Sequence, residues 1–168
     1  TYYSASLRRQ TSDLVFPQDF VVNYKAKSLA RVPRMTHRIY LYPNEIHARV
    51  NQGVFLPTAL DVLPTVEDDG QPDDEEAPIL FLEQHMNYDL DGDGYAEPWI
   101  VTVDATNFNV LRVVPCYDEE EVERNGKGKI THIPRSTYFT KYSFLPAPDG
   151  GFYDIGFGAL MGSISETV

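Results

Sequence analysis

One stretch of this chain has residue types and spacing that imply chemistry: Asp89-Leu90-Asp91-Gly92-Asp93-Gly94-Tyr95-Ala96-Glu97. It places carboxylates at loop positions 1, 3 and 5, a glycine at 6 for a sharp turn, a backbone carbonyl at 7 and an acid at 9. These are the hard oxygen ligands that calcium prefers. So many carboxylates directed at one point repel each other, and a metal cation is the simplest neutraliser. The expected metal ligands are Asp89, Asp91, Asp93, Tyr95 and Glu97, with calcium as a structural cofactor.

The surroundings of the loop decide which kind of site it is. An EF-hand needs a bidentate glutamate at position 12 and a helix on either side. Position 12 is Ile100, and both flanks read as strand. The same first nine positions occur in calcium loops that staple a turn between two strands, as in integrin-type propeller blades. The competing reading is a solvated hairpin turn made by the Asp-Gly pairs alone, with no metal. In both readings the loop is architectural, because no nucleophile or general base lies near it in sequence.

The elements that must carry this loop are strands. Ile79 to Met86, Trp99 to Asp104 and Val110 to Val114 follow one another at the spacing of an antiparallel meander, with Trp99, Val101 and Val103 on one face. Upstream, Phe20 to Tyr24 has strand composition and finds a partner in Arg38 to Tyr42. Asn44 sits where a helix N-cap belongs, with Ile46 and Val50 on one face and Gly53 just past the end. Asn125-Gly126 marks a hairpin turn in which both central positions tolerate positive φ. Ile130 to Ile133 and Thr137 to Phe144 are expected to carry the sheet on, and a helix begins near Ala159. The fold class is α+β, mainly β: an antiparallel β meander with short helices. One domain over residues 1–168 is expected, with a flexible acidic loop at about 64–78, where Glu67-Asp68-Asp69 and Asp73-Asp74-Glu75-Glu76 bury nothing.

Enzyme signatures are missing. The four histidines, His37, His47, His85 and His132, have no metal-ligand spacing. Cys116 is the sole cysteine, so an intrachain disulfide and a cysteine zinc site are excluded and a reducing compartment is expected. No serine lies in Gly-x-Ser-x-Gly, and Gly156 to Gly162 lacks the Lys-Ser/Thr of a P-loop. With a formal net charge of -11, a surface gripping nucleic acid through its phosphates would work against the overall field. No apolar run is long enough for a membrane span.

Three stretches resemble the portal proteins of tailed bacteriophages, the ring proteins at the DNA-entry vertex of the capsid. They are Thr36 to Asn44, Leu82 to His85 running into Tyr88 to Pro98, and Phe139 to Pro146 through Asp149 to Gly158. The last, Phe139-Thr140-Lys141-Tyr142-Ser143-Phe144-Leu145-Pro146 with Asp149-Gly150-Gly151-Phe152-Tyr153-Asp154-Ile155-Gly156-Phe157-Gly158, is the most specific. The resemblance implies a non-enzymatic subunit of a homo-oligomeric ring with a central DNA channel. It also implies docking surfaces for the packaging terminase and for head-completion proteins. This chain would be the outer, wing-like, β-rich part of such a subunit, located in the virion and in the host cytoplasm during assembly. The alternative from a different class is a calcium-stapled β binding or adhesion module. Absent disulfides and an unrepeated Asp89 loop argue against it, since such modules usually occur outside the cell and in arrays.

Overall fold

The computed structural model describes residues 2–4, 9–63 and 77–165. The acidic segment read as a flexible loop falls almost wholly at 64–76, outside the described residues. The chain divides into two compact units, Thr1–Met35 with Thr137–Val168, and Thr36–Ser136. Strands run β1 (Tyr2–Ser4), β2 (Arg9–Thr11), β3 (Phe20–Val22), β4 (Arg34–Leu41), β5 (Ile79–Tyr88), β6 (Glu97–Asp104), β7 (Val110–Pro115), β8 (Glu123–Arg124) and β9 (Ile130–His132). Among the described residues two α-helices accompany them, α1 (Pro43–Asn51) and α2 (Phe157–Ser165). The main sheet has the order β3-β4-β5-β6-β7, and β1-β2 and β8-β9 form two-stranded sheets. The class is α+β, mainly β and antiparallel, as the sequence pattern predicts. No helix among the described residues is long and apolar enough to cross a membrane.

In the unit Thr36–Ser136, β5, β6 and β7 are consecutive antiparallel neighbours, running in register from Phe81↔Asp104 to Tyr88↔Glu97 and from Trp99↔Pro115 to Val103↔Val110. Alternation sends Phe81, Glu83 and His85 to one side of β5, and on β6 the buried positions are Ile100, Thr102 and Asp104. The face bearing Trp99, Val101 and Val103 is half-buried. Leu41, Ile46, Phe55, Ala59, Phe81 and Leu111 form the apolar core, with Val50 packed against it. Ile46 and Val50 therefore turn to the core as their four-residue spacing predicts.

The other unit has its own core of Phe20, Val32, Met35 and Phe152, with Phe139 packed against it. The Phe20 ring lies 4.8 Å from Phe139 and 6.3 Å from Phe152 by centroid.

Helix α1 starts at Pro43, with Tyr42 rather than Asn44 as N-cap. Proline is preorganised for the first helical position, and Glu45 Oε2 accepts the Tyr42 N–H at 2.9 Å. The β8–β9 hairpin exists, but its positive φ falls on Gly128 (+79°), not on Asn125 and Gly126. Asn125 Oδ1 instead accepts the backbone N–H groups of Lys127 and Lys129, which makes a longer turn. Strand β9 pairs with β8 and does not extend the main sheet.

The segment Thr137 to Phe144 forms no strand. It is tied by side chains: Lys141 Nζ and Ser143 Oγ both reach the Asp154 carboxylate, the former at 2.9 Å. Tyr153 Oη donates to the Phe20 carbonyl at 2.6 Å, and Leu145 makes a single bridge to Ile155. Alternating composition does not register such cross-ties, so the segment reads as strand.

Candidate functional site

The acidic loop is the connection between β5 and β6, closed by the pair Tyr88↔Glu97. Its first aspartate organises the turn: Asp89 Oδ1 accepts the Gly92 N–H at 2.7 Å and Oδ2 accepts the Gly94 N–H at 3.0 Å. Asp91 Oδ1 accepts from Asp93 N at 3.1 Å, and Asp93 Oδ1 from Tyr95 N at 2.7 Å. These contacts fold the chain back on itself only because Gly92 and Gly94 adopt φ of +76° and +89°, which a side chain would strain. The Tyr95 hydroxyl accepts the Ile133 N–H at 3.1 Å, anchoring the loop to the chain just past β9.

This fold brings one carboxylate oxygen each from Asp89, Asp91 and Asp93 within 4.8 Å of one another, a cluster that could hold a metal ion. Asp91 and Asp93 are exposed and Asp89 is partly so. Glu97 takes a different direction. It is only 6 % exposed, and its Oε2 accepts the Trp99 indole N–H at 3.4 Å. Of the five expected ligands, the structure clusters the three aspartate side chains and turns the Glu97 carboxylate toward the indole.

Beside the loop lies a cavity of about 500 Å³, lined among others by Asp91, Glu97, Trp99, Tyr117, Glu119 and Arg124. The Trp99 and Tyr117 rings meet edge to face with centroids 6.3 Å apart. Burial first, then the charges of Glu97, Glu119 and Asp91, push the Tyr117 phenol above its usual range, against the opposing effect of Arg124.

Sequence reading missed a second polar group, on the buried face of the sheet. His85 is 1 % exposed; its Nε2 lies 3.2 Å from Glu83 Oε1 and its Nδ1 lies 3.7 Å from Cys116 Sγ. Arg112 Nη1 approaches Glu83 Oε2 at 3.8 Å, reaching across Thr102, which faces Glu83 on one side and Arg112 on the other. A carboxylate only accepts, so in a neutral ring it selects the Nε2–H tautomer and leaves Nδ1 as an acceptor facing the thiol. The order carboxylate, imidazole, thiol is that of a nucleophilic relay, but Cys116 has no exposed surface, and burial pushes its thiol pKa up. In the folded chain the three side chains pack and pair with one another. Its sequence signal is positional: Glu83 and His85 fall in the inward alternation set by Phe81.

Burial pushes the Glu83 carboxyl up, but the hydrogen bond and charge of His85, with His37 and Arg112, outweigh it and hold the pKa below the usual value. A depressed carboxylate contributes stability that is present above its unfolded pKa, about 4.3, and lost as pH falls through the folded value. Urea melts of wild type and Glu83→Gln should therefore differ by a constant amount at neutral pH and converge as pH drops below about 4. A gap that stays constant into acid would show that Glu83 is not the group titrating.

No protein-family model matches the chain, and no curated protein is significantly similar to it.

Proposed function

We propose that this chain is the wing-like part of a portal subunit of a tailed bacteriophage, a structural element of the ring through which DNA enters and leaves the capsid. The observation that carries the reading is the stretch Phe139 to Gly158, whose likeness to portal proteins is the most specific in the chain. That stretch depends on side-chain ties from Lys141 and Ser143 to Asp154 and from Tyr153 to Phe20, so its residue identities serve its conformation. The mainly-β fold and a net charge of -11 agree with the reading, because a channel that lets DNA slide cannot grip it through its phosphates.

Within this role Asp89, Asp91 and Asp93 hold a calcium ion that staples the β5–β6 turn, with the Tyr95 carbonyl and water completing the oxygen shell. Glu97 fills position 9, which often acts through water in such loops.

Partners in this reading are further copies of the same chain, the terminase, the head-completion proteins and the DNA in the channel. Electron microscopy of the protein purified from its complete reading frame tests it. Closed rings with a central channel are the expected result. A dispersed monomer that forms no ring alone or with terminase would overturn the portal reading in favour of a calcium-stapled binding module.

A further inference from the structure

The net charge of -11 is divided unevenly between the two units. Thr1–Met35 with Thr137–Val168 holds seven Lys and Arg against five Asp and Glu, a formal +2, whereas Thr36–Ser136 holds seven against twenty, a formal -13. The first unit carries a groove of about 540 Å³, lined by the rings of Phe20, Phe139 and Phe152 and by Leu14, Tyr142 and Phe144. The last three are 76 %, 88 % and 67 % exposed, and apolar surface gathered in this way marks a contact site. Lys141 and Asp154 in the same lining pair with each other. The exposed residues Lys25, Lys27, Arg31 and Arg34 bracket Leu29, which also lines the groove, and none of the four forms an ion pair with a described carboxylate. The acidic unit offers the converse surface. Its strand β7 is an edge of the main sheet with Val110 and Val113 exposed, and the chain then runs into the exposed acidic stretch Asp118-Glu119-Glu120-Glu121.

We infer that the aromatic groove of one copy docks on the β7 edge and the Asp118 to Glu121 stretch of a second copy, with the Lys25 to Arg34 stretch meeting the acids. Apolar surface then meets apolar surface, and basic meets acidic, on both sides of the contact. Two grooves set together would oppose basic stretch to basic stretch, and two acidic units would oppose -13 to -13. The contact is therefore heterologous, made by different surfaces of the two copies. Such a contact leaves a free groove at one end and a free acidic face at the other, so it repeats, and it closes a ring where the rotation per copy allows. The inference rests on the ring reading in taking a second copy as the occupant, and adds which surfaces meet.

The test is sedimentation of the whole 168-residue chain over a range of concentrations, with two variants that change only exposed side chains. The groove variant combines Tyr142→Ser with Phe144→Ser, and the acid variant combines Glu120→Lys with Glu121→Lys. Wild type should associate as its concentration rises, and less so in high salt, which screens the exposed charges. Each variant alone should associate at least about tenfold more weakly, the scale for losing a central aromatic anchor or for opposing like charges. An equal mixture of the two should form dimers and nothing larger, because one intact groove and one intact acidic face remain per pair. That rescue also shows that both variants are folded. Wild type that stays monomeric, an acid variant that associates like wild type through a groove-to-groove contact, or a mixture without dimers would overturn the inference. Closed rings that the complete reading frame still forms with Tyr142→Ser and Phe144→Ser would overturn it too, while leaving the ring reading in place.

Discussion

Asp104→Ala should melt about 6–12 °C below wild type, from a loss of about 3 kcal/mol. Asp104 ends β6 with no exposed surface, and its carboxylate holds the connection to β7 together. Oδ1 accepts the N–H groups of Thr106, at 3.0 Å, and Asn107, and Oδ2 accepts that of Asn109 at 2.9 Å. These bonds hold Phe108 at φ +59°, a conformation a bulky residue seldom adopts unaided. Alanine removes the acceptor for all three donors at once. Asparagine, which keeps one oxygen but faces the Asn109 N–H with a donor in one of its two orientations, should fall between. Thermal melts of the three proteins check this, and a shift below about 2 °C for alanine would mean that the turn is held by its backbone alone.

Calcium should raise the melting temperature by about 5–10 °C at a hundredfold excess over its dissociation constant, a stabilisation of about 2.7 kcal/mol for an ion that binds only the folded chain. The same titration in a calorimeter should show saturable heat, and Asp91→Ala with Asp93→Ala together should abolish both signals. Three carboxylate oxygens within 4.8 Å repel one another without a cation and bind cooperatively with one. Chelator should return the wild type to its metal-free melting point. If neither heat nor shift is observed, the Asp89, Asp91 and Asp93 carboxylates serve only the backbone N–H groups they already accept, and the loop is a plain acidic hairpin.

The features legible in the sequence are those with a local cause. Period-two alternation locates β5, β6 and β7 in their observed order, and the Asp-x-Asp-x-Asp spacing brings its three carboxylates together as predicted. What escapes is decided by distant partners. Glu97 belongs to the loop by spacing, yet its carboxylate goes to the Trp99 indole, because residues two apart on β6 stand on the same face of the sheet. Thr137 to Phe144 alternates like a strand, but its polar side chains are spent on Asp154, which is distant in sequence. The Glu83-His85-Cys116 group joins β5 to the residue just past β7, 31 positions beyond His85, a proximity that only the sheet register creates.

The burial of Cys116 bears on the covalent state of any assembly built from this chain. Copies packed side by side at high local concentration present their surface thiols to one another, and air oxidation then links them at random. Here the one thiol is sealed between His85 and the Ser136 carbonyl, with its ionisation suppressed by burial. Sealed in this way, Cys116 forms no disulfide cross-link between copies of this chain while the fold is intact.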